Sequence, residues 1–139
     1  MYYIQDARGK ILSLDTKTDT FKEIYKFTEG SINSLAASPS HNYIVSLGES
    51  GQIKVWDYAN KNTFTETMYE GKGTCMTHFP HTDVNKGRVF VAGFDNGIVR
   101  FLYLHTEGID ILKSFKAHDD AITAIRYSAD LKLLVTGSS

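Results

Sequence analysis

The stretch SGQIKVWD, Ser50 to Asp57, decides how the rest of the chain is read. It has two relatives, RGKILSLD from Arg8 to Asp15 and NGIVRFLY from Asn96 to Tyr103. Their turn glycines, Gly9, Gly51 and Gly97, stand 42 and 46 residues apart. Self-similarity at a period of ~40–45 residues marks a stacked array of small β units, none of which can bury its faces alone. The expected function moves from chemistry towards binding.

Outward from these copies, the chain divides into short apolar runs separated by polar turns, the pattern of successive hairpins. The first unit has YYIQ, KILSLD and FKEIYKF; the second has SINSLAA, YIVSLG, GQIKVWD and Thr63 to Met68. In the third, Thr74 to Phe79 precedes the polar loop PHTDVNKG, then RVFVAG, NGIVRFLYL and Ile109 to Phe115. The fourth opens on Ala117-His118-Asp119-Asp120 and continues with AITAIRY and LLVTG. No segment carries a helical pattern. YIVSL and RVFVAG are apolar on both faces, as expected of small sheets covered on both sides by neighbours.

Trp56-Asp57 ends a strand at this spacing, and AHDDAITAIRYSADLKLLVTGSS follows the order histidine turn, inner strand, turn, second strand. On these residues the chain resembles the WD40-repeat family over essentially its whole length. The resemblance implies an all-β fold, a partial WD40 β-propeller of about three four-stranded blades, incomplete at both ends. Residues 1–139 form one partial propeller with units of approximately 1–27, 28–68, 69–115 and 116–139. Propellers close with about four to eight blades, so the remaining blades of the same propeller are expected partners. Tyr2-Tyr3-Ile4 begins as a strand with no cap, and LVTGSS stops where other copies place their glycine turn; a cut within a blade is expected at each end.

The family's blades are often held by a histidine, a serine or threonine, an aspartate and a tryptophan in one hydrogen-bonded chain, which rigidifies only when every member is satisfied. The resemblance implies structural roles for Gly9, Gly51, Gly97, Trp56, Asp57, His118 and Thr136. No unit has the full set. Trp56 has Thr28-Glu29-Gly30 where the histidine turn would be, and Leu14 and Leu102 replace the tryptophan elsewhere. Blade cohesion is expected to rest on apolar packing.

GFDNGIVRFLYL and SFKAHDDAITAI further resemble the large WD-repeat proteins of the ciliary axoneme, which carry propellers followed by coiled coils and help tether inner-arm dynein to doublet microtubules. That resemblance implies a non-enzymatic scaffold for assembly or dynein-related motility in the cytoplasm and cytoskeleton, at the cilium axoneme. Its partners would be other proteins: tether, dynein or microtubule-associated subunits. The alternatives are a cytosolic adaptor, such as a ubiquitin-ligase substrate receptor or trafficking subunit, and an enzyme whose catalytic domain lies elsewhere.

Composition agrees with a binding module. Lys and Arg number 15 against 16 Asp and Glu, so no net field favours nucleic acid or an anionic membrane. No apolar run approaches ~18 residues and no basic, apolar leader opens the chain, so a soluble intracellular protein is expected. The single cysteine, Cys75, reads as an inert core thiol.

The candidate chemistry is weak wherever it surfaces. His78 and His81 flank a proline at a strand end and lack the further ligands of a tetrahedral metal set. His118 with Asp119 and Asp120 belongs to a turn and its solvated rim. Gly48-Glu49-Ser50-Gly51 lacks the strand-to-helix context of a nucleophile elbow, and Gly71-Lys72-Gly73-Thr74 lacks the first glycine and following helix of a phosphate loop. No catalytic residue, cofactor or metal is expected. Lys54 and Arg100 read as long stems over apolar surface with their charges at the rim.

The connecting loops remain, since a propeller gathers them on one rigidly held face. Arg8, Glu49, Phe94, Asp95 and Asn96 lie in the turns before the repeated strand; Glu29, Lys72 and Asp119 lie in those leading into each inner strand. These are the candidate partner-binding residues. Phe94 is the sharpest, because an aromatic in a turn costs solvation unless it packs against the adjacent blade or binds.

Overall fold

The computed structural model describes residues 2–5, 8, 10–26, 30–80, 82 and 86–139. The expectations for Gly9, Glu29 and His81 fall outside these residues. Every regular element described is a strand: β1 (Tyr2–Gln5), β2 (Lys10–Asp15), β3 (Thr20–Lys26), β4 (Ile32–Ala37), β5 (Tyr43–Gly48), β6 (Gln52–Asp57), β7 (Asn62–Met68), β8 (Gly73–His78), β9 (Val89–Phe94), β10 (Ile98–His105), β11 (Gly108–Lys116), β12 (Ile122–Ser128) and β13 (Leu133–Ser138). Their pairing is antiparallel and follows chain order, in sheets of three, four, four and two strands: β1–β3, β4–β7, β8–β11 and β12–β13. The expected all-β partial propeller is what forms.

Sequence dictates this through its turns. Gly51 and Gly97 have φ of 85° and 77°, the left-handed region that glycine enters without steric cost. A second constraint acts at the same positions. A Cβ on Gly51 would collide with the carbonyl oxygens of Tyr69 and Gly71, and one on Gly97 with that of His118. The loop leading to the next sheet therefore crosses directly over each turn glycine. Tyr69 N–H donates to the Gly51 carbonyl at 3.0 Å and Ala117 N–H to that of Gly97 at 2.9 Å. The repeating glycine is a requirement of how consecutive blades join.

Apolar side chains alternate between two interfaces rather than between core and water. Val45, Leu47, Ile53 and Val55 meet Phe90, Phe94, Leu102 and Leu104 between the second and third sheets. Val91, Val99, Ile122 and Ile125 form the core between the third and fourth, and Ile11, Ile32 and Ile44 that between the first and second. β9 is buried at all six positions, the result expected of a strand covered on both faces. The outward faces of the terminal sheets are uncovered: Tyr2, Ile4 and Phe21 are exposed on the first, Leu133 and Val135 on the last.

Candidate interaction face

The two predicted loop sets come together. In three successive sheets, the residue just after the second strand donates its N–H to the carbonyl just before the innermost strand: Glu49 to Ser31 at 2.9 Å, Asp95 to Lys72 at 2.9 Å, and Ser139 to Ala121 at 3.4 Å. Side chains reinforce two of these clasps. The Ser31 hydroxyl donates to Glu49 Oε2 at 3.0 Å, and the Lys72 N–H donates to Asp95 Oδ1 at 2.8 Å. Asn96 accepts from the Ile98 N–H at 3.2 Å. The result is a rim of short, hydrogen-bonded turns on which Glu49, Lys72 and Asp95 are exposed. Asp119 lies further along the chain, beside Lys116 at 3.6 Å, with a side chain 99% exposed. Arg8 is exposed as well.

Phe94 is placed differently. It is 0% exposed, its ring set edge-on to Tyr69 at 6.2 Å and covered by the Arg100 guanidinium at 4.3 Å. As a partner contact it is corrected: the turn begins one residue later, and the side chain points back between the blades. Arg100 also departs from expectation. Its head does not reach the rim but stacks on Phe94 and on Tyr69, 5.4 Å away, and among the described residues Nη1 has no hydrogen-bond partner. Burial pushes the guanidinium below its ordinary pKa, with Tyr69 and Glu70 opposing. Lys54 is likewise buried, but its ammonium meets Glu66 at 3.2 Å. Neither residue was legible as buried from the sequence, because alternation does not reveal whether a basic side chain clears the neighbouring blade.

Several of the described family-motif residues make defined contacts. His118 Nε2 and Thr136 Oγ1 are 2.9 Å apart, two members of the blade network. Asp57 accepts from the N–H groups of Ala59 and Asn60, both at 3.0 Å, and from Asn60 Nδ2 at 2.7 Å, closing the turn into β7. The Asn60 backbone and then its side chain hold the Asp57 carboxyl below the usual carboxylate range, against a smaller opposing effect of burial. Trp56 is half-buried with Tyr3, Tyr58 and Leu35 around Ile11, Ile32 and Ile44.

Elsewhere the chemistry is quiet. His78 Nδ1 lies 3.4 Å from the Phe79 carbonyl, and among the described residues no group of three His, Cys, Asp or Glu side chains could hold a metal ion. Burial raises the Cys75 thiol, whose Sγ faces the Ile122 carbonyl of the next sheet at 3.8 Å. Such a thiol is a poor nucleophile.

Comparison with known proteins agrees with this architecture. The family model "WD domain, G-beta repeat" matches residues 21–57 and 109–139. Mouse cilia- and flagella-associated protein 44 is 28% identical over 96% of this chain, which spans 8% of that protein. An Arabidopsis thaliana U3 small nucleolar RNA-associated protein 18 homolog is 36% identical over 66% of the chain, which spans 16% of it. A chain in a crystal structure of the mitotic checkpoint complex superposes with a TM-score of 0.84 at 15% identity, covering 98% of this chain and 42% of its own length. With the glycine-anchored hairpins, the interblade cores and the histidine–threonine pair in place, the chain carries WD40 repeats and forms a run of blades of a β-propeller.

Proposed function

We propose that this chain is a non-enzymatic scaffold segment of an axonemal WD-repeat protein, contributing a rigid rim to which other axonemal proteins bind. The observation that carries the ciliary part is the 28% identity to cilia- and flagella-associated protein 44, which runs through 96% of the chain rather than through one repeat. The binding part rests on the rim itself. Turns clasped by backbone hydrogen bonds present Glu49, Lys72 and Asp95 with little conformational freedom left to lose on association. Asp119 and Arg8 extend this surface with exposed charge.

A second reading has its own support in the 36% identity to a U3 small nucleolar RNA-associated protein homolog, over a shorter stretch. It would put the same blades in a nucleolar assembly. Localisation of the tagged full-length parent in ciliated cells separates the two. Enrichment along the axoneme is the expected result, and nucleolar accumulation with exclusion from cilia would overturn the ciliary reading.

A further inference from the structure

Three side chains cross the first sheet in register, Tyr3 opposite Ser13 and Ser13 opposite Lys22. They face the end of β6, where Trp56 gives way to Tyr58 and Lys61 in the turn towards β7. Between the two walls lies a groove of about 560 Å³, within the ~300–1,000 Å³ typical of ligand sites. The groove sits at the opposite end of β6 from the Gly51 turn, so it is separate from the Glu49–Asp95 rim.

Its chemistry is two-part. Tyr3 and Tyr58 stand 5.7 Å apart at a 36° tilt, and with Trp56 they supply aromatic walls above the buried Ile11, Ile32 and Ile44. Burial, and then the neighbouring Tyr58, hold the Tyr3 phenol protonated. Lys22 and Lys61 stand at the mouth, both exposed. The acid that also lines the groove, Glu23, is engaged by Lys10 at 2.7 Å, so the net charge offered to an occupant is positive. Aromatic walls alone would suit a cation; two lysines at the entrance select against one. Flat rings favour a planar or ring-bearing apolar group, and the lysines favour carboxylates beside it.

We infer that this interblade groove docks a short acidic segment of a partner protein, seating a phenylalanine or proline side chain among Tyr3, Trp56 and Tyr58 with flanking carboxylates on Lys22 and Lys61. The inference rests on the scaffold reading and gives it a second, lateral surface with a stated partner chemistry.

Trp56 is the only tryptophan in the chain, so its emission reports occupancy directly. The chain is titrated with the peptides EDFPDE, EDGGDE and KKFPKK. EDFPDE is expected to change Trp56 emission saturably, and the other two to leave it unchanged at equal concentration. Reversing both charges, Lys22→Glu with Lys61→Glu, is expected to weaken EDFPDE by about tenfold or more and to admit KKFPKK, with the thermal melt unaltered. Equal binding of the acidic and basic peptides, no response to EDFPDE, or a response only to phosphatidylserine vesicles would each overturn the groove assignment. Crosslinking the parent to its partners separates this from the broader reading. Capture lost on Glu49→Lys but indifferent to the lysine reversals would remove the groove and leave the scaffold, whereas no partner at either surface would remove both.

Discussion

Lys54 and Arg100 occupy the same position in consecutive blades, each three residues past its turn glycine and each 7% exposed, yet only one of them has an acid opposite. Lys54 faces Glu66 across β6 and β7, whereas Arg100 faces Ser114 across β10 and β11. The second blade thus pairs its buried charge within the sheet. The third stacks its charge on Phe94 and Tyr69 and, among the described residues, leaves Nη1 without a hydrogen bond. A buried cation with no acid directly opposite it is costly, and an opposed carboxylate recovers part of that cost.

Ser114→Glu should therefore stabilise the third blade, by about 0.5–1 kcal/mol, read as a higher midpoint in urea. A carboxylate paired with Arg100 would have its folded pKa depressed. The gain should accordingly be present above the ordinary glutamate range and fade as pH falls through the folded value. An unchanged midpoint at neutral pH would mean that position 114 does not reach the guanidinium.

Gly97→Ala combines a left-handed φ of 77° with a collision against the His118 carbonyl. Strain of this kind costs about 1–3 kcal/mol before the loop is displaced. The loss should exceed that of Gly108→Ala, where the nearest atoms lie 3.8 Å away. Equal effects in denaturant melts of the two variants would contradict the close crossing of loop over turn.

Asp57→Asn keeps an acceptor for the backbone N–H groups of Ala59 and Asn60 but sets an amide against Asn60 Nδ2, so a loss of about 1–2 kcal/mol is expected at neutral pH. Because the folded carboxyl titrates below its ordinary 3.8, its stabilisation is present above that value and lost as pH falls below it. The variant's stability should thus decline less than that of the unmodified chain between pH 5 and pH 2, as followed by circular dichroism.

Leu133 and Val135 share an uncovered face with Ala124 and Arg126, their register setting them apart from the buried Ile122 and Ile125. Contiguous exposed apolar surface drives association. Replacing both with glutamate, which sets an acid rather than a second cation opposite Arg126, should shift the 139-residue chain towards monomer in analytical ultracentrifugation without lowering its melt. Unchanged self-association would place the sticky surface elsewhere, with Tyr2, Ile4 and Phe21 on the other terminal sheet as the next test.

Strands and turns were readable because they are set locally. YIVSLG corresponds to β5 residue for residue, and GQIKVWD overshoots β6 only by the turn glycine. The glycine period gave the joints between blades, and the loops carrying Glu49, Lys72 and Asp95 were readable as a rim. Phe94 was not, since nothing near it in sequence tells whether a turn aromatic points outward or back between sheets. The groove was beyond reach for the same reason: its walls, Tyr3–Ser13–Lys22 and Trp56–Tyr58–Lys61, lie more than thirty residues apart and meet only when two blades stack.

By itself, then, the sequence determined the repeat, the all-β hairpins and their family, because period-two alternation and positive-φ turns are properties of a few consecutive residues. Tertiary structure alone decided which polar side chains are buried, which loop residues are spent on holding one another, and where a lateral binding surface opens. Those outcomes depend on the face presented by the neighbouring blade, and a face is assembled from residues about one repeat away.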